Sequence, residues 1–165
     1  MTKLKEEQKQ ELLENESNIL AGVLEAAKEI EDTEVPVVIT RNGEEAFRFH
    51  VAPQSAEVFE KAGEFGTAYR TDKRGRKFVE STSITKANAY LILHATTKKD
   101  RDMIWENKEV REALGEFTAV DVIQRVLLAG EMQAVVELIE ELSGYSLNKE
   151  DVAEKERKEL DELKN

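Results

Sequence analysis

Apolar residues recur along most of the chain at the three- and four-residue spacing that predicts amphipathic helices. The clearest stretch is 120–145, which we interpret as two helices separated by a break at Ala129 and Gly130. Gly130 is expected to end the first helix in a left-handed conformation, and Gly144 is expected to end the second in the same way. Two such helices do not bury both apolar stripes by themselves, so they require the rest of the chain or a partner.

The N-terminal segment, residues 1–33, is predicted to contain a separate amphipathic helix over residues 3–31. Only Leu4 is apolar before Leu12, so the first ten residues are expected to fray. Two interpretations stay open: the helix docks on its own domain, or it is offered to another protein molecule. Its apolar face is formed by Leu12, Leu13, Ile19, Leu20, Val23, Leu24, Ala27 and Ile30.

Residues 34–52 carry the clearest strand signal, because apolar and other residues alternate in two runs around Asn42 and Gly43. A two-residue loop at Asn42 and Gly43 would place the two apolar rows on opposite faces of the hairpin. A three-residue loop over 41–43 pairs Val37 with Phe47 on one face and puts Gly43 at a left-handed bulge position. We predict the three-residue loop, because a slip of one residue moves every side chain to the other face.

The rest of the main domain, which we place at residues 34–147, is predicted to be mostly helical. Residues 55–61 form a short helix, residues 63–82 show no period and are expected to be a basic loop, and residues 83–145 are expected to form a series of helices. A polar helix is predicted over 148–165. The expected fold is therefore α+β and predominantly helical, with an N-terminal β-hairpin packed on a C-terminal helical bundle.

Composition narrows the class of protein. The chain has 165 residues, 35 acidic against 24 basic side chains, and a formal net charge of -11. This balance disfavours nonspecific binding to nucleic acid or to an anionic membrane. The chain has no cysteine, and its N-terminus has no apolar signal-peptide core, so we expect a cytoplasmic protein without disulfides.

Candidate catalytic chemistry is sparse. The two histidines, His50 and His94, do not lie in a metal-ligand spacing, and no glycine-rich phosphate loop or serine elbow is present in the sequence. Lone histidines usually satisfy local structure. We therefore expect no catalytic, cofactor-binding or metal site, and we do not predict an enzyme.

Two arrangements raise the question of nucleic-acid binding. If the 120–145 pair were a helix-turn-helix, its recognition helix over 131–143 would carry four glutamates and no basic residue, which repels phosphates. The predicted basic loop is the better candidate, although an acidic protein partner would suit it equally well. Nucleic-acid binding is disfavoured overall. The basic patch consists of Arg70, Lys73, Arg74, Arg76 and Lys77.

Three segments together resemble a known family. These are ITKANAYLILHAT, then the stretch VIQRVLLAGEMQAVVELIEELSGY with its LLAGE turn at 127–131 and its ELSGY ending, and VAPQSAEVFEKA after the hairpin. Over residues 35–165 the chain resembles the tail assembly chaperones of long-tailed phages and prophages of Gram-positive bacteria. This resemblance implies a non-catalytic protein of the host cytoplasm that binds and solubilises the tape-measure protein and helps to recruit tail-tube subunits, with self-association left open.

The resemblance also directs attention to the edge of the inward stripe of the 120–142 pair and to the last helix. Apolar residues at that edge are candidates for partner binding if the fold leaves them exposed; the other interpretation is that they belong to the core. The candidates are Leu128, Met132, Val136, Leu142 and Leu160. The alternative function is a small regulatory or inhibitory protein of a mobile element that binds a host protein or nucleic acid.

Overall fold

The computed structural model describes residues 2–146 and residue 163 of the chain. By their internal contacts the residues fall into two units, Met1–Thr33 and Glu34–Asn165. The first unit contains one long helix, α1, over Thr2–Asp32. The helix predicted over 148–165 lies, apart from Leu163, outside the described residues. Within the described part of the chain, no helix has the length and apolar composition that crossing a membrane needs.

The second unit contains two small antiparallel hairpins and a set of helices, which confirms the predicted α+β, mostly helical fold. The strands pair only within their own hairpins, β1 with β2 and β3 with β4. The elements in chain order are β1 (Val35–Arg41), β2 (Glu44–Val51), α2 (Ala56–Phe65), β3 (Thr67–Thr71), β4 (Lys77–Thr82), α3 (Ile84–Ala95), α4 (Lys98–Asp100), a π-helical turn (Arg101–Trp105), α5 (Lys108–Leu114), α6 (Ala119–Val126) and α7 (Ala129–Leu142).

The first hairpin has a different loop from the one predicted. Arg41 pairs with Glu44, so the loop consists of the two residues Asn42 and Gly43, which both have positive φ angles of 55° and 78°. The predicted three-residue loop is therefore wrong. Asn and Gly are the residues that adopt two successive left-handed conformations most readily, and the type I′ turn requires this pair of conformations.

A β-bulge in β2 restores the alternation that the two-residue loop would otherwise break. The register shifts between Ile39 and Thr40, and Ala46 is left without a partner. Beyond the bulge Ile39 pairs with Phe47 and Val37 with Phe49, so both apolar rows point to one face. The single-face arrangement was predicted, but the pairing differs by two residues because the extra residue lies in the strand and not in the loop.

The segment 63–82 is not the basic loop that we predicted. It contains the end of α2 and the second hairpin, whose strands β3 and β4 are exposed along nearly their whole length. A strand exposed on both faces needs no alternation of apolar and polar residues, and the sequence therefore gave no strand period. Asp72 closes the turn by accepting hydrogen bonds from the backbone N–H groups of Arg74 and Arg76.

The core forms where the first hairpin packs on the helices. Trp105 is fully buried and meets Phe49 edge to face, with ring centroids 5.3 Å apart. The indole Nε1 donates to Thr96 Oγ1 at 3.1 Å, so the polar atom of this buried ring is satisfied. The same core contains buried residues of α3, α6 and α7, among them Ile92, Ile123 and Ile139.

The break between α6 and α7 lies earlier than predicted. Leu127 and Leu128 are extended, and α7 already begins at Ala129. Gly130 lies in the first turn of α7 and has no positive φ, so its predicted role as a left-handed helix end is wrong. Gly144, which follows α7, does have a positive φ of 87°, as predicted. The break needs no glycine because the two leucines adopt ordinary β-region angles.

The contact between α2 and α3 gives a prediction about two glycines. A Cβ on Gly66 would lie 2.6 Å from the backbone oxygen of Ser83 and 2.9 Å from the Cβ of Ala87, whereas a Cβ on Gly63 would meet nothing within 4 Å. We expect Gly66→Ala to lower the free energy of unfolding by on the order of 1–3 kcal/mol through overpacking. The matched control Gly63→Ala should raise it by roughly 0.5–1 kcal/mol. Urea denaturation measures both, and equal effects would contradict the close packing of α2 on α3.

Candidate protein-interaction surfaces

The first anchor of α7 joins its N-terminal end to the first hairpin. The guanidinium of Arg41 forms an ion pair with Glu131 at 2.6 Å and also donates to the backbone oxygen of Val126 at the end of α6. The other role of Glu131 is to accept the backbone N–H of Leu128 at 2.8 Å, which satisfies one of the free donors at the start of α7. This network gives the LLAGE turn its shape.

The charge of Glu131 is stabilised by this network. The side-chain hydrogen bond from Arg41 lowers the pKa of Glu131 below its usual value; burial opposes the shift, and the backbone N–H of Leu128 supports it. The sequence pointed to Glu131 only as the last residue of the LLAGE motif, and nothing in it indicated Arg41 as its partner. A glutamate three residues after a helix start is a capping signal, but the expected partner, Ser or Thr at the cap, is here replaced by Leu128.

The second anchor holds the C-terminal end of α7. Ser143 Oγ donates to the backbone oxygen of Ile139 at 2.6 Å and accepts the backbone N–H of Gln54 at 2.9 Å. Gly144 then reverses the chain, and the ring of Tyr145 meets Phe59 of α2 with centroids 4.8 Å apart. The ELSGY ending therefore ties α7 to the connection between β2 and α2.

Between these anchors an open groove separates α7 from β1. It has a volume of about 440 Å³, and among its lining residues only Glu131 is charged. Ala134 lies near the middle of α7, and its short side chain leaves space that a larger residue would fill. We name this the β1–α7 groove; its lining residues are Pro36, Val37, Val38, Ile39, Thr40, Glu131, Ala134, Val135 and Leu138.

A second depression lies on the other side of α7, between α7 and α3, and is more polar. It has a similar volume of about 450 Å³. Its lining includes Glu137 and Glu140 together with Gln133 and Asn88. An apolar partner side chain placed here would remove water from these polar groups without replacing their hydrogen bonds. The β1–α7 groove is therefore the better site for an apolar contact.

The structure places the candidate partner-binding residues in different environments. Leu128 is 61% exposed at the start of α7, and Leu142 is half-buried at its end. Met132 and Val136 are only 4% and 8% exposed, so of the two interpretations the one that assigns them to the core is correct for these two residues. They point into the core because α7 packs against α3. Leu160 lies outside the described residues.

The basic patch lies on the exposed second hairpin. Arg76 pairs with Asp72 at 2.9 Å, and Lys77 Nζ lies 4.4 Å from the centre of the Tyr69 ring. The backbone N–H of Arg76 donates the hydrogen bond that lowers the pKa of Asp72 most. Burial opposes this shift, and the backbone N–H of Arg74 supports it. Two of the five basic side chains are thus engaged within the hairpin itself, and this geometry does not favour nucleic acid over an acidic protein.

Each of the two histidines contacts a neighbouring side chain of the fold, His50 that of Asp100 and His94 that of Tyr90. Asp100 accepts the backbone N–H of His50 at 2.7 Å and lies 2.9 Å from His50 Nδ1. Burial acts to raise the pKa of Asp100, but the hydrogen bonds from His50 outweigh it and leave that pKa lowered. Burial lowers the pKa of His94, whose ring packs at a tilt against that of Tyr90, with centroids 4.2 Å apart. No group of three or more His, Asp or Glu side chains that could hold a metal ion occurs among residues 2–146 and residue 163.

Comparison with known protein families shows the family of the chain. The family model described as phage XkdN-like tail assembly chaperone protein matches residues 20–158. No curated protein and no solved structure matches the chain. The matched region contains both hairpins, α7 and both of its anchors, and it begins within α1.

The ion pair of the first anchor should make stability depend on pH. Because the folded-state pKa of Glu131 is lowered, its stabilisation is present above the unfolded value of about 4.3 and is lost as the pH falls through the folded value. Glu131→Gln should therefore lower the Tm most at pH 7 and progressively less toward pH 3. The control Glu60→Gln, at an exposed position of α2, should change the Tm little at either pH. A deficit of Glu131→Gln that stays constant with pH would contradict the ion pair.

The position of Gly130 gives a second prediction. A Cβ there would meet nothing within 4 Å, and the residue is helical without a positive φ. Gly130→Ala should therefore raise the free energy of unfolding by roughly 0.5–1 kcal/mol, because alanine loses less backbone entropy in a helix. Thermal or urea denaturation measures the change. A clear loss of stability would indicate the left-handed helix end that the sequence suggested.

Proposed function

Because the chain belongs to the phage XkdN-like tail assembly chaperone family, we propose that it binds the tape-measure protein of a phage tail and keeps that protein soluble until assembly. We further propose that it helps to recruit tail-tube subunits to this complex in the host cytoplasm. The action is binding alone, without a catalytic step. The family match over residues 20–158 is the observation that carries the proposal.

The physical need for such a chaperone follows from the nature of the partner. A long helical protein that awaits assembly exposes apolar stripes along its helices, and such stripes aggregate unless another surface covers them. A groove with apolar walls accepts the apolar face of a helix or the side chains of an extended segment. The net charge of -11 favours solubility of the complex that forms.

The β1–α7 groove is our proposed contact site. Val38 on the strand side is 45% exposed, and Ala134 on the helix side is exposed as well. Leu128, at the N-terminal end of α7, extends the apolar surface beyond the groove. Leu142 would extend it at the other end. Because Met132 and Val136 are core residues, we do not propose that they touch the partner.

Co-expression tests the proposal. We expect the tape-measure protein encoded with this chain to be largely insoluble alone, and largely soluble and co-purifying when both proteins are produced together. A tape-measure protein that stays as insoluble with the chaperone as without it would refute the proposed function. Co-purification of the tail-tube subunit with the complex tests the second part of the proposal separately.

Two variants that each replace an alanine by glutamate test the contact site. Ala134→Glu places a charge in the β1–α7 groove at an exposed position, so the fold should persist while the recovery of soluble tape-measure protein falls at least severalfold. The matched control Ala113→Glu introduces the same charge at an exposed position of α5, outside the groove, and should leave recovery unchanged. Circular dichroism confirms folding of both variants. Equal recovery with both would move the contact site elsewhere.

A further inference from the structure

α1 presents an apolar stripe to solvent along two thirds of its length. The seven largest apolar side chains of the helix beyond its first ten residues are each between 57% and 70% exposed. A contiguous exposed apolar surface of this kind marks an interaction site. The residues are Leu12, Leu13, Ile19, Leu20, Val23, Leu24 and Ile30. The family match begins only at residue 20, so the first half of the stripe lies outside it.

The spacing of the central row is that of a short coiled coil. Leu12, Ile19, Val23 and Ile30 are separated by seven, four and seven residues, which places them at the two seam positions of three successive heptads. The two remaining seam positions in this row are Glu16 and Ala26. Three heptads are the lower limit for a coiled coil, so this pairing has to rely on a good match between the two faces.

The row has the same spacing in both directions from its centre at residue 21. Leu12 and Ile30 lie at equal distances on either side of this centre, and so do Ile19 and Val23. Two copies of α1 that run antiparallel therefore bring Leu12 of one copy to Ile30 of the other, and Ile19 to Val23. A stripe that complements a reversed copy of itself is the signature of a two-fold symmetric contact.

The charges on α1 distinguish this arrangement from a parallel one. In a parallel pair Glu16 would face Glu16 in the seam, and Lys9 would face Lys9, so that like charges meet. In the antiparallel pair Glu16 lies opposite the small Ala26, from where its carboxylate reaches water. Lys9 of one copy then lies near the acidic end of the other, which carries Glu29, Glu31 and Asp32.

We propose that two copies of this chain associate through an antiparallel pairing of their α1 helices. The occupant of the stripe is thus a second copy of the same chain. The pairing involves α1 alone, whereas the β1–α7 groove lies in the unit Glu34–Asn165. A chain that does not dimerise can therefore still bind the tape-measure protein, and a dimer can form without that binding. A dimer of this kind would present two chaperone units to one tail protein and raise the effective concentration of the second contact.

Light scattering coupled to gel filtration tests the association with the full chain. We expect the wild type to have twice the mass of one chain, and Ile19→Glu combined with Val23→Glu to have the mass of one chain. The matched control, Asn18→Glu combined with Gln10→Glu, adds two acidic residues on the opposite face and should stay dimeric. A monomeric wild type, or a dimer that survives the Ile19 and Val23 substitutions, would overturn the proposal.

Disulfide trapping tests the direction of the pairing, and the absence of native cysteine makes every crosslink interpretable. Leu12→Cys chains and isotopically labelled Ile30→Cys chains are mixed and oxidised, and the products are weighed by mass spectrometry. We expect the mixed disulfide between residues 12 and 30 to dominate by at least severalfold. The two positions lie about 27 Å apart along one helix, so they cannot be joined within a chain. Dominance of the like pairs would indicate parallel helices and overturn the proposal.

Discussion

The attachment of α7 at both of its ends is the constraint on which the surface of the second unit depends. At one end the ion pair between Arg41 and Glu131 fixes the helix to the last residue of β1. At the other end the hydroxyl of Ser143 accepts the backbone N–H of Gln54. Because the helix is held at its ends, its middle does not have to close onto β1, and the groove between them remains open. A helix held by a continuous apolar contact with the strand would have filled that space.

The hairpin that forms the other wall of the groove is held by the core beneath it. Phe47 and Phe49 both meet Trp105 edge to face, and Trp105 itself is fixed by Thr96. The outer edge of β2 is bound to the chain after α3, where the backbone oxygen of His50 accepts the N–H of Thr97 at 2.9 Å. Within the described part of the chain, β1 pairs only with β2, and Pro36 removes one donor from its outer edge. The strand wall of the groove is thus supported by the core, and Pro36 leaves its outer edge with one donor fewer for pairing with another strand.

The two units of the chain carry apolar surface of different kinds. In the second unit a buried apolar core joins the first hairpin to the helices, and the exposed large apolar residues, such as Phe117, Met103 and Leu128, are scattered over several elements. In α1 the whole apolar stripe is exposed, and its symmetry suits a second copy of itself. Under the two proposals made above, the stripe of α1 sets the number of copies while the β1–α7 groove contacts the partner.

The sequence by itself determined the fold class, the capped helices and the family, because these depend on local spacing and on motifs that act within a few residues. The side-chain oxygens of Asn107 and Thr118 cap α5 and α6, as these residue types commonly do at helix starts, and the LLAGE and ELSGY motifs carry the resemblance to the chaperones. The tertiary structure alone decided which apolar residues of α7 are exposed, because their exposure depends on how α7 packs against α3 and into the common core. It also decided the bulge at Ala46 and the second hairpin, since neither a register shift nor a strand exposed on both faces leaves a period in the sequence.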